Sequence, residues 1–355
     1  MIMESLYEVL KCYFPNQKID SISEFGNGHI QSTFKVDTDG ASYILQKLNT
    51  NVFPQPLILI SNHLKIQSYL ESKRNPFLIP ILVSTVDNKY YHIDAKGDFW
   101  RLTQFIKNTY SLERTENPKQ AKEAAKAYSW FVNTLSALEV DDFDEVLPNF
   151  HSLTWRLRQF DEALCKDSAK RKEQLVLDIE FYNKRRSGLL ELEKLIVTNQ
   201  ITKRIVHNDT KINNVLFENK KAIAVIDLDT TAPGTILYDY GDALRTIANT
   251  TEEDEEDYEK VSFDFNIFKS FTDGYLSKIA NSLNKVEKEN LFLAPIYMTY
   301  IIGLRFLTDY LNGDIYYKIK KTDHNLIRSR VQQKLILSIE RQQDSIKKYL
   351  ESSFL

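Results

Sequence analysis

The sequence predicts an α+β fold in two lobes: a small N-terminal lobe with an antiparallel sheet and one helix, then a large, mainly helical C-terminal lobe. Three observations carry this. Period-two apolar runs closed by glycine, proline or Asx crowd the chain before Ile106, amphipathic runs of helical length dominate from Pro118 onward, and one hairpin pattern interrupts the helical part. The lobes are expected at 1–106 and 107–355, and 355 residues suffice for two cores.

The elements follow in order. Glu4 to Phe14 has helical apolar spacing and stops at Pro15-Asn16. Ile22 to Phe25 reads as a strand leading into Gly26-Asn-Gly28, Ile30 to Val36 as a second, and Tyr43 to Leu48 as a third beyond the Asp39-Gly40 turn. Pro54 to Leu70 is a helix whose stripe is Leu57, Ile60, Leu64 and the Ile66 to Leu70 stretch. Asn75 to Val86 is expected as a strand, and Lys89 to Ile93 with Asp98 to Phe105 as a hairpin that joins the first three strands in a five-stranded antiparallel sheet; Ile106 to Thr109 then crosses to the second lobe. There, Ala121 to Leu138, Leu153 to Lys166, Glu173 to Val197, Ser262 to Ile279, Lys285 to Asp309 and Leu326 to Leu350 are expected helices. The acidic run Glu252 to Asp257 is expected as a solvated or mobile loop.

Composition narrows the function. A net charge of −3 with scattered Lys and Arg argues against nucleic-acid binding. Two distant cysteines, Cys12 and Cys165, predict neither a disulfide nor a zinc site and suit a reducing, cytoplasmic setting. No membrane span is expected, because no uninterrupted apolar run reaches about 18 residues. The amphipathic N-terminus lacks the marks of a signal peptide. No protein partner is evident.

The chemistry gathers between Ile205 and Arg245. Val215-Leu-Phe217 and Ala222 to Ile226 are the arms of the hairpin; Asp209 and Asn214 precede the first arm and Asp227 ends the second. Hard oxygen ligands with room for water or phosphate suit Mg²⁺. His207-x-Asp209-x-Lys211-x-x-Asn214, an apolar strand and then Asp227 follow the order of parts in protein-kinase-like phosphoryl transfer. By that analogy the third strand presents a cation to the nucleotide phosphates; Lys47 is its only ammonium, or is merely an exposed strand lysine, and Gln46 is on the other face. The glycines Gly26 and Gly28 can lie over phosphates or simply turn a hairpin. Backbone near Gln104 and Ile106 meets an adenine edge if the analogy holds.

The strings His207-Asn-Asp-Thr-Lys-Ile-Asn-Asn214, Val225-Ile-Asp-Leu-Asp-Thr230, Pro233-Gly234 and Tyr238-Asp-Tyr-Gly-Asp-Ala-Leu-Arg245 resemble the aminoglycoside phosphotransferase superfamily. With Gly26-Asn-Gly28, Tyr43-Ile-Leu-Gln46 and Gly303-Leu-Arg-Phe-Leu-Thr-Asp-Tyr-Leu-Asn-Gly-Asp314, the chain looks most like the N-acetylhexosamine 1-kinases. The resemblance implies a bilobal protein-kinase-like fold using ATP and Mg²⁺. It makes Asp209 the catalytic carboxylate, Lys211 its cationic partner, and Asn214 and Asp227 the metal ligands. A sugar is the implied substrate, with Arg305, His29 and Tyr317 as its contacts; Arg305 could instead pair with Asp309 on a solvated helix face. His207 is expected to fix the loop, and Asp239 and Asp242 to serve as loop and helix-cap residues. The same fold also serves aminoglycosides, choline, homoserine and other small alcohols, or a silent kinase-like binding protein.

Overall fold

The structure, a computed structural model, describes residues 2–26, 31–73 and 75–354. In chain order the elements are α1 (Ile2–Lys11), β1 (Ile19–Glu24), β2 (Ser32–Thr38), β3 (Ala41–Leu48), α2 (Pro56–Glu71), β4 (His92–Ile93), β5 (Phe99–Gln104), α3 (Pro118–Leu135), α4 (Leu153–Lys166) and α5 (Val176–Val197). They continue with β6 (Arg204–Val206), β7 (Val215–Glu218), β8 (Lys221–Val225), β9 (Ala232–Gly234), α6 (Ile236–Ile247), α7 (Phe265–Ile279), α8 (Lys285–Asn290), α9 (Ala294–Leu311), α10 (His324–Arg341) and α11 (Gln343–Ser353). The chain forms two compact units. One is Met1–Ser111 with Asp141–Leu147 and Leu216–Ala232, the other Leu112–Val140, Pro148–Val215 and Pro233–Leu355. The division expected at residue 106 did not anticipate that the 215–226 hairpin belongs almost wholly to the first unit.

In the first unit an antiparallel sheet has the order β1-β2-β3-β5-β4. Alternation sorts its side chains. Val36, Leu45, Trp100 and Leu102 pack on Leu6, Val9 and Leu10 of α1, whereas Leu48 and Phe99 pack on Leu59 and Ile60 of α2. The α2 stripe differs from the expected one: Leu57 is 54% exposed and Leu59 buried. The polar buried residues of α2 serve backbone: Asn62 Nδ2 donates to the carbonyls of Asp144 and Thr231, and His63 Nε2 to that of Pro80. Asn75 to Val86 is not a strand. Pro76 and Pro80 have no N–H for a ladder, and the segment makes only isolated bridges, Leu78 with Ala224 and Leu82 with Thr103. β7 and β8 form the expected two-stranded sheet, turned by Asn219 and Lys220, both at positive φ as a type I′ turn requires.

The second unit is a helical assembly. Gly274 lets α7 lie against α3, since a Cβ there would collide with the Lys122 carbonyl. α9 packs on α4, α6 and α10. Contrary to the expectation of no membrane-length apolar segment, residues 285–311 are long and apolar enough to cross a membrane. The physical reason is that α9 is a core helix, buried on nearly every side. The acidic run is also tied down: Glu253 pairs with Arg245 at 2.8 Å, Asp254 receives a hydrogen bond from His324 Nε2 at 2.9 Å, and Glu256 pairs with Lys321. The helix expected at 326–350 is two, α10 and α11, parted at Gln342.

Candidate active site

β6 is fully buried and delivers the chain into the loop from His207 to Asn214. Every anchor of that loop described here lies in the second unit. The Asp239 carboxylate, buried in α6, accepts the N–H groups of His207 (2.9 Å) and Asn208 (2.8 Å), and the Asp239 carbonyl accepts the Thr210 hydroxyl at 2.6 Å. Asp239 is therefore not a cap of its own helix, and Asp242 is likewise buried, held to Arg245 at 2.8 Å. The His207 ring sits edge-on to Tyr128 and Phe131, and its Nδ1 accepts the Asp209 N–H at 3.3 Å. Its geometry is that of a loop-fixing residue. The carbonyls are held too: Asn208 by His151 Nε2 (2.9 Å), Asp209 by Asn214 Nδ2 (2.9 Å) and Lys211 by the Tyr128 hydroxyl (2.5 Å).

These anchors leave the Asp209 and Lys211 side chains partly open, at 25% and 43% exposure. Lys211 Nζ lies 3.0 Å from Asp209 Oδ1. Burial alone would raise the Asp209 carboxyl, but the charge and hydrogen bond of Lys211, with His207 and Arg245, hold it below the ordinary carboxylate value. Lys211 is raised in turn, first by Asp209. The pair is thus ionised at neutral pH. Burial raises Asp239 to about 6 against the lowering effect of His207 and the two backbone N–H groups. Asn214 turns its amide nitrogen to Asp209 and so keeps its amide oxygen for other work; a hard oxygen donor fits Mg²⁺.

In the first unit, Asp227 follows β8 at φ 59° and opens a short helical turn over residues 228–230. Asp229 within that turn is buried. Its Oδ1 lies 2.5 Å from Arg101 Nη1, an ion pair without hydrogen-bond alignment, and its Oδ2 accepts from Gln31 Nε2 at 2.9 Å. Arg101 also donates Nε and Nη2 to Gln46 Oε1, at 3.0 and 2.8 Å, because the two residues are register partners on β5 and β3. The guanidinium beside Gln46 was not singled out from the sequence; only the register brings it there. Lys47 occupies the other face and pairs with Asp98 at 2.6 Å, both partly exposed. Gly26 has φ +79°, with open space around it. Gly28 and His29 lie outside the described residues. Gln104 ends β5 with its N–H on the Ile81 carbonyl, and the Ile106 carbonyl accepts the Thr109 hydroxyl.

The expected sugar contacts fall in the second unit around α9. Arg305 does not pair with Asp309. That carboxylate accepts the N–H groups of Ile315, Tyr316 and Tyr317 at 2.8–3.0 Å and the Asn325 amide at 2.9 Å, and so folds the segment after α9. Arg305 makes no ion pair or hydrogen bond among the described residues. Its guanidinium carbon is 5.2, 5.9 and 5.7 Å from the ring centroids of Phe150, Tyr316 and Tyr317. Arg156, which donates to the Phe150 carbonyl and Gln159, is lowered to about 10 by burial and by the Arg305 charge. The Phe150 ring lies 4.3 Å from that of His151, whose Nε2 holds the Asn208 carbonyl. One pair of rings, Phe150 and His151 tilted at 45°, therefore separates Arg305 from the loop of Asp209.

Such a loop, with an ionised Asp-Lys pair and an Asn after it, can orient a hydroxyl and offset negative charge on a transferred group. Residues 21–266, more than half of the chain, match the phosphotransferase enzyme family. The chain belongs to this family and is a phosphotransferase. Similar solved structures include an aminoglycoside phosphotransferase from Alicyclobacillus acidocaldarius, 14% identical over 96% of each chain with a TM-score of 0.64. A microcompartment-associated aminopropanol kinase is 14% identical over 97% of this chain and 98% of its own, TM-score 0.61. A spectinomycin phosphotransferase in complex with ADP and spectinomycin is 16% identical over 96% and 98%, TM-score 0.60. These likenesses show the protein-kinase-like fold.

Proposed function

We propose that the protein transfers the γ-phosphoryl group of ATP to the anomeric hydroxyl of an N-acetylhexosamine, giving the 1-phosphate. The observation that carries the acceptor class is Arg305: a guanidinium without a carboxylate, against three rings and near a second guanidinium, Arg156. Two uncompensated cations repel a polycationic acceptor and favour a neutral, oxygen-rich one, whose acetamido carbonyl or hydroxyls accept from Arg305. Tyr317, and His29 by resemblance, complete the acceptor contacts.

Asp209 aims the attacking hydroxyl and takes up its proton as the bond to phosphorus forms; an anomeric hydroxyl is acidic enough for an ordinary carboxylate. Lys211 offsets charge on the transferring phosphoryl oxygens. Asn214 and Asp227 would hold Mg²⁺, which supplies further neutralisation of phosphate charge when bound. For the nucleotide, Gly26, Gly28, Lys47 and backbone at Gln104 and Ile106 are proposed contacts. Since Lys47 is committed to Asp98, its role requires that pair to open.

A second reading has a specific support. Arg156 and Arg305 would also suit an alcohol that carries a carboxylate, such as homoserine. One coupled ADP-release assay with ATP and Mg²⁺ tests both, using N-acetylglucosamine, N-acetylgalactosamine, homoserine, choline, an aminopropanol and an aminoglycoside. Turnover of an N-acetylhexosamine to an acid-labile phosphate is expected. Turnover of the cationic acceptors alone would overturn the proposal.

A further inference from the structure

We propose that His151 is a positioning residue for phosphoryl transfer: its Nε2–H fixes the Asn208 carbonyl, and through that peptide the direction of Asp209. The inference rests on the reading of Asp209 as the catalytic carboxylate. A carbonyl only accepts, so the 2.9 Å contact assigns the imidazole proton to Nε2. Nδ1 is then a buried lone pair without a hydrogen-bond partner among the described residues. Burial keeps the ring neutral, lowering it to about 4, while Asp242 and the Asn208 carbonyl oppose that shift and Arg305 and Arg156 add to it.

The peptide that His151 grips is the one that needs gripping. Asn208 has φ +64°, a left-handed conformation that asparagine tolerates better than other Cβ-bearing residues, so the peptide after it is set by the hydrogen bonds it makes. Asp239 holds the N–H side of Asn208, and His151 holds its carbonyl. Without the imidazole, the peptide between Asn208 and Asp209 has one restraint fewer against rotating, and Asp209 turns with it. The donor itself is on a firm mount. Its ring is packed 4.3 Å from Phe150 and 5.1 Å from Tyr238, and its own carbonyl accepts the Tyr297 hydroxyl at 3.4 Å. The next residue, Ser152, caps α4, and both Ser152 Oγ and Thr154 N donate to the buried Glu193. Packing alone does not call for histidine here. A phenylalanine would fill a slot between two rings without leaving a nitrogen unpartnered.

The test compares His151→Phe, which keeps the ring and removes the donor, with His151→Gln, which restores a side-chain N–H. ATP, Mg²⁺ and N-acetylglucosamine, or the acceptor turned over fastest in the panel above, serve as substrates. For His151→Phe we expect kcat to fall about ten- to a hundredfold, as for a misaligned catalytic group, with both KM values nearly unchanged and a melting temperature lowered by only a few degrees, because the Asn208 carbonyl loses its donor. His151→Gln should recover most of kcat. Wild-type kcat in His151→Phe, or equal impairment in both variants, overturns the role. Asp209→Asn is the control: if it stays fully active, the catalytic reading fails, whereas an inactive Asp209→Asn beside an unimpaired His151→Phe sinks His151 alone. Should His151→Phe not fold, imidazole ¹⁵N spectra decide. A neutral Nε2–H signal lost in His151→Gln supports the assignment, and an Nδ1–H tautomer refutes it.

Discussion

Lys211 Nζ stands 3.0 Å from Asp209 Oδ1, so the ammonium that the motif spaces two residues from the carboxylate meets it directly. Replacing Lys211 with Met removes the charge that the proposed mechanism sets against the transferring phosphoryl group, together with the main lowering influence on Asp209. kcat should drop on the order of a hundredfold or more, the scale for losing one preorganised electrostatic contact. Initial-rate kinetics check this; a change below threefold would show that Lys211 is only a surface partner.

Acidity should act through Asp239 before it acts through Asp209. The Asp239 carboxyl is raised to about 6, and once protonated it loses acceptor capacity for the His207 and Asn208 N–H groups. We expect kcat to decline as pH falls through about 6. Stability should run the other way: a carboxyl raised in the folded state contributes stability that is present below its ordinary value near 4 and lost as pH rises through about 6. Opposite slopes of kcat and of urea-unfolding free energy between pH 4 and 7, both flattened in Asp239→Asn, are the expected outcome. An acid limb that persists in Asp239→Asn assigns it to another group.

Arg305 can be altered cheaply, because no ion pair or hydrogen bond within the described residues depends on it. Arg305→Ala should raise the acceptor KM about tenfold or more, a loss of one charged hydrogen bond, while the melting temperature shifts little. Arg305→Glu should improve the relative use of cationic acceptors. Unchanged acceptor KM in both variants would remove Arg305 from the acceptor site.

The Arg101–Asp229 pair is a stability element of the first unit, with side chains only 5% and 4% exposed. Arg101→Met leaves the Asp229 carboxylate buried with Gln31 as its remaining donor. Breaking such a pair costs roughly 3–5 kcal/mol, measurable by urea denaturation. Adding Asp229→Asn should return part of the loss. A single-variant cost under about 1 kcal/mol would mean that water reaches the carboxylate.

The arrangement of the loop from His207 to Asn214 was legible in the sequence because its contacts are local. Asp209, Lys211 and Asn214 lie within one loop, and their spacing already encodes who meets whom. The hairpin turn at Asp39-Gly40 and helix α4 were legible for the same reason, since a left-handed glycine and a serine cap act over a few residues. Arg101, His151 and Arg156 were not. Each depends on register or on packing between segments distant in sequence, which no periodicity records. Asn75 to Val86 misled because an apolar run between prolines has strand composition without strand hydrogen bonds. The break at Gln342 misled because neither glycine nor proline marks it.

The first unit is assembled from three separated stretches of chain, the last ending at Ala232. On the ribosome it therefore cannot finish folding when its own N-terminal segment emerges. Leu78 waits for Ala224, and Tyr110 for Phe217, until the chain has passed through the first two stretches of the second unit, 112–140 and 148–215. A stop or frameshift beyond Ser111 leaves a sheet with exposed partners rather than a small working domain. Dividing this protein into independently expressed halves at the end of its N-terminal segment should yield aggregates, and cuts that respect the hairpin are the ones to attempt.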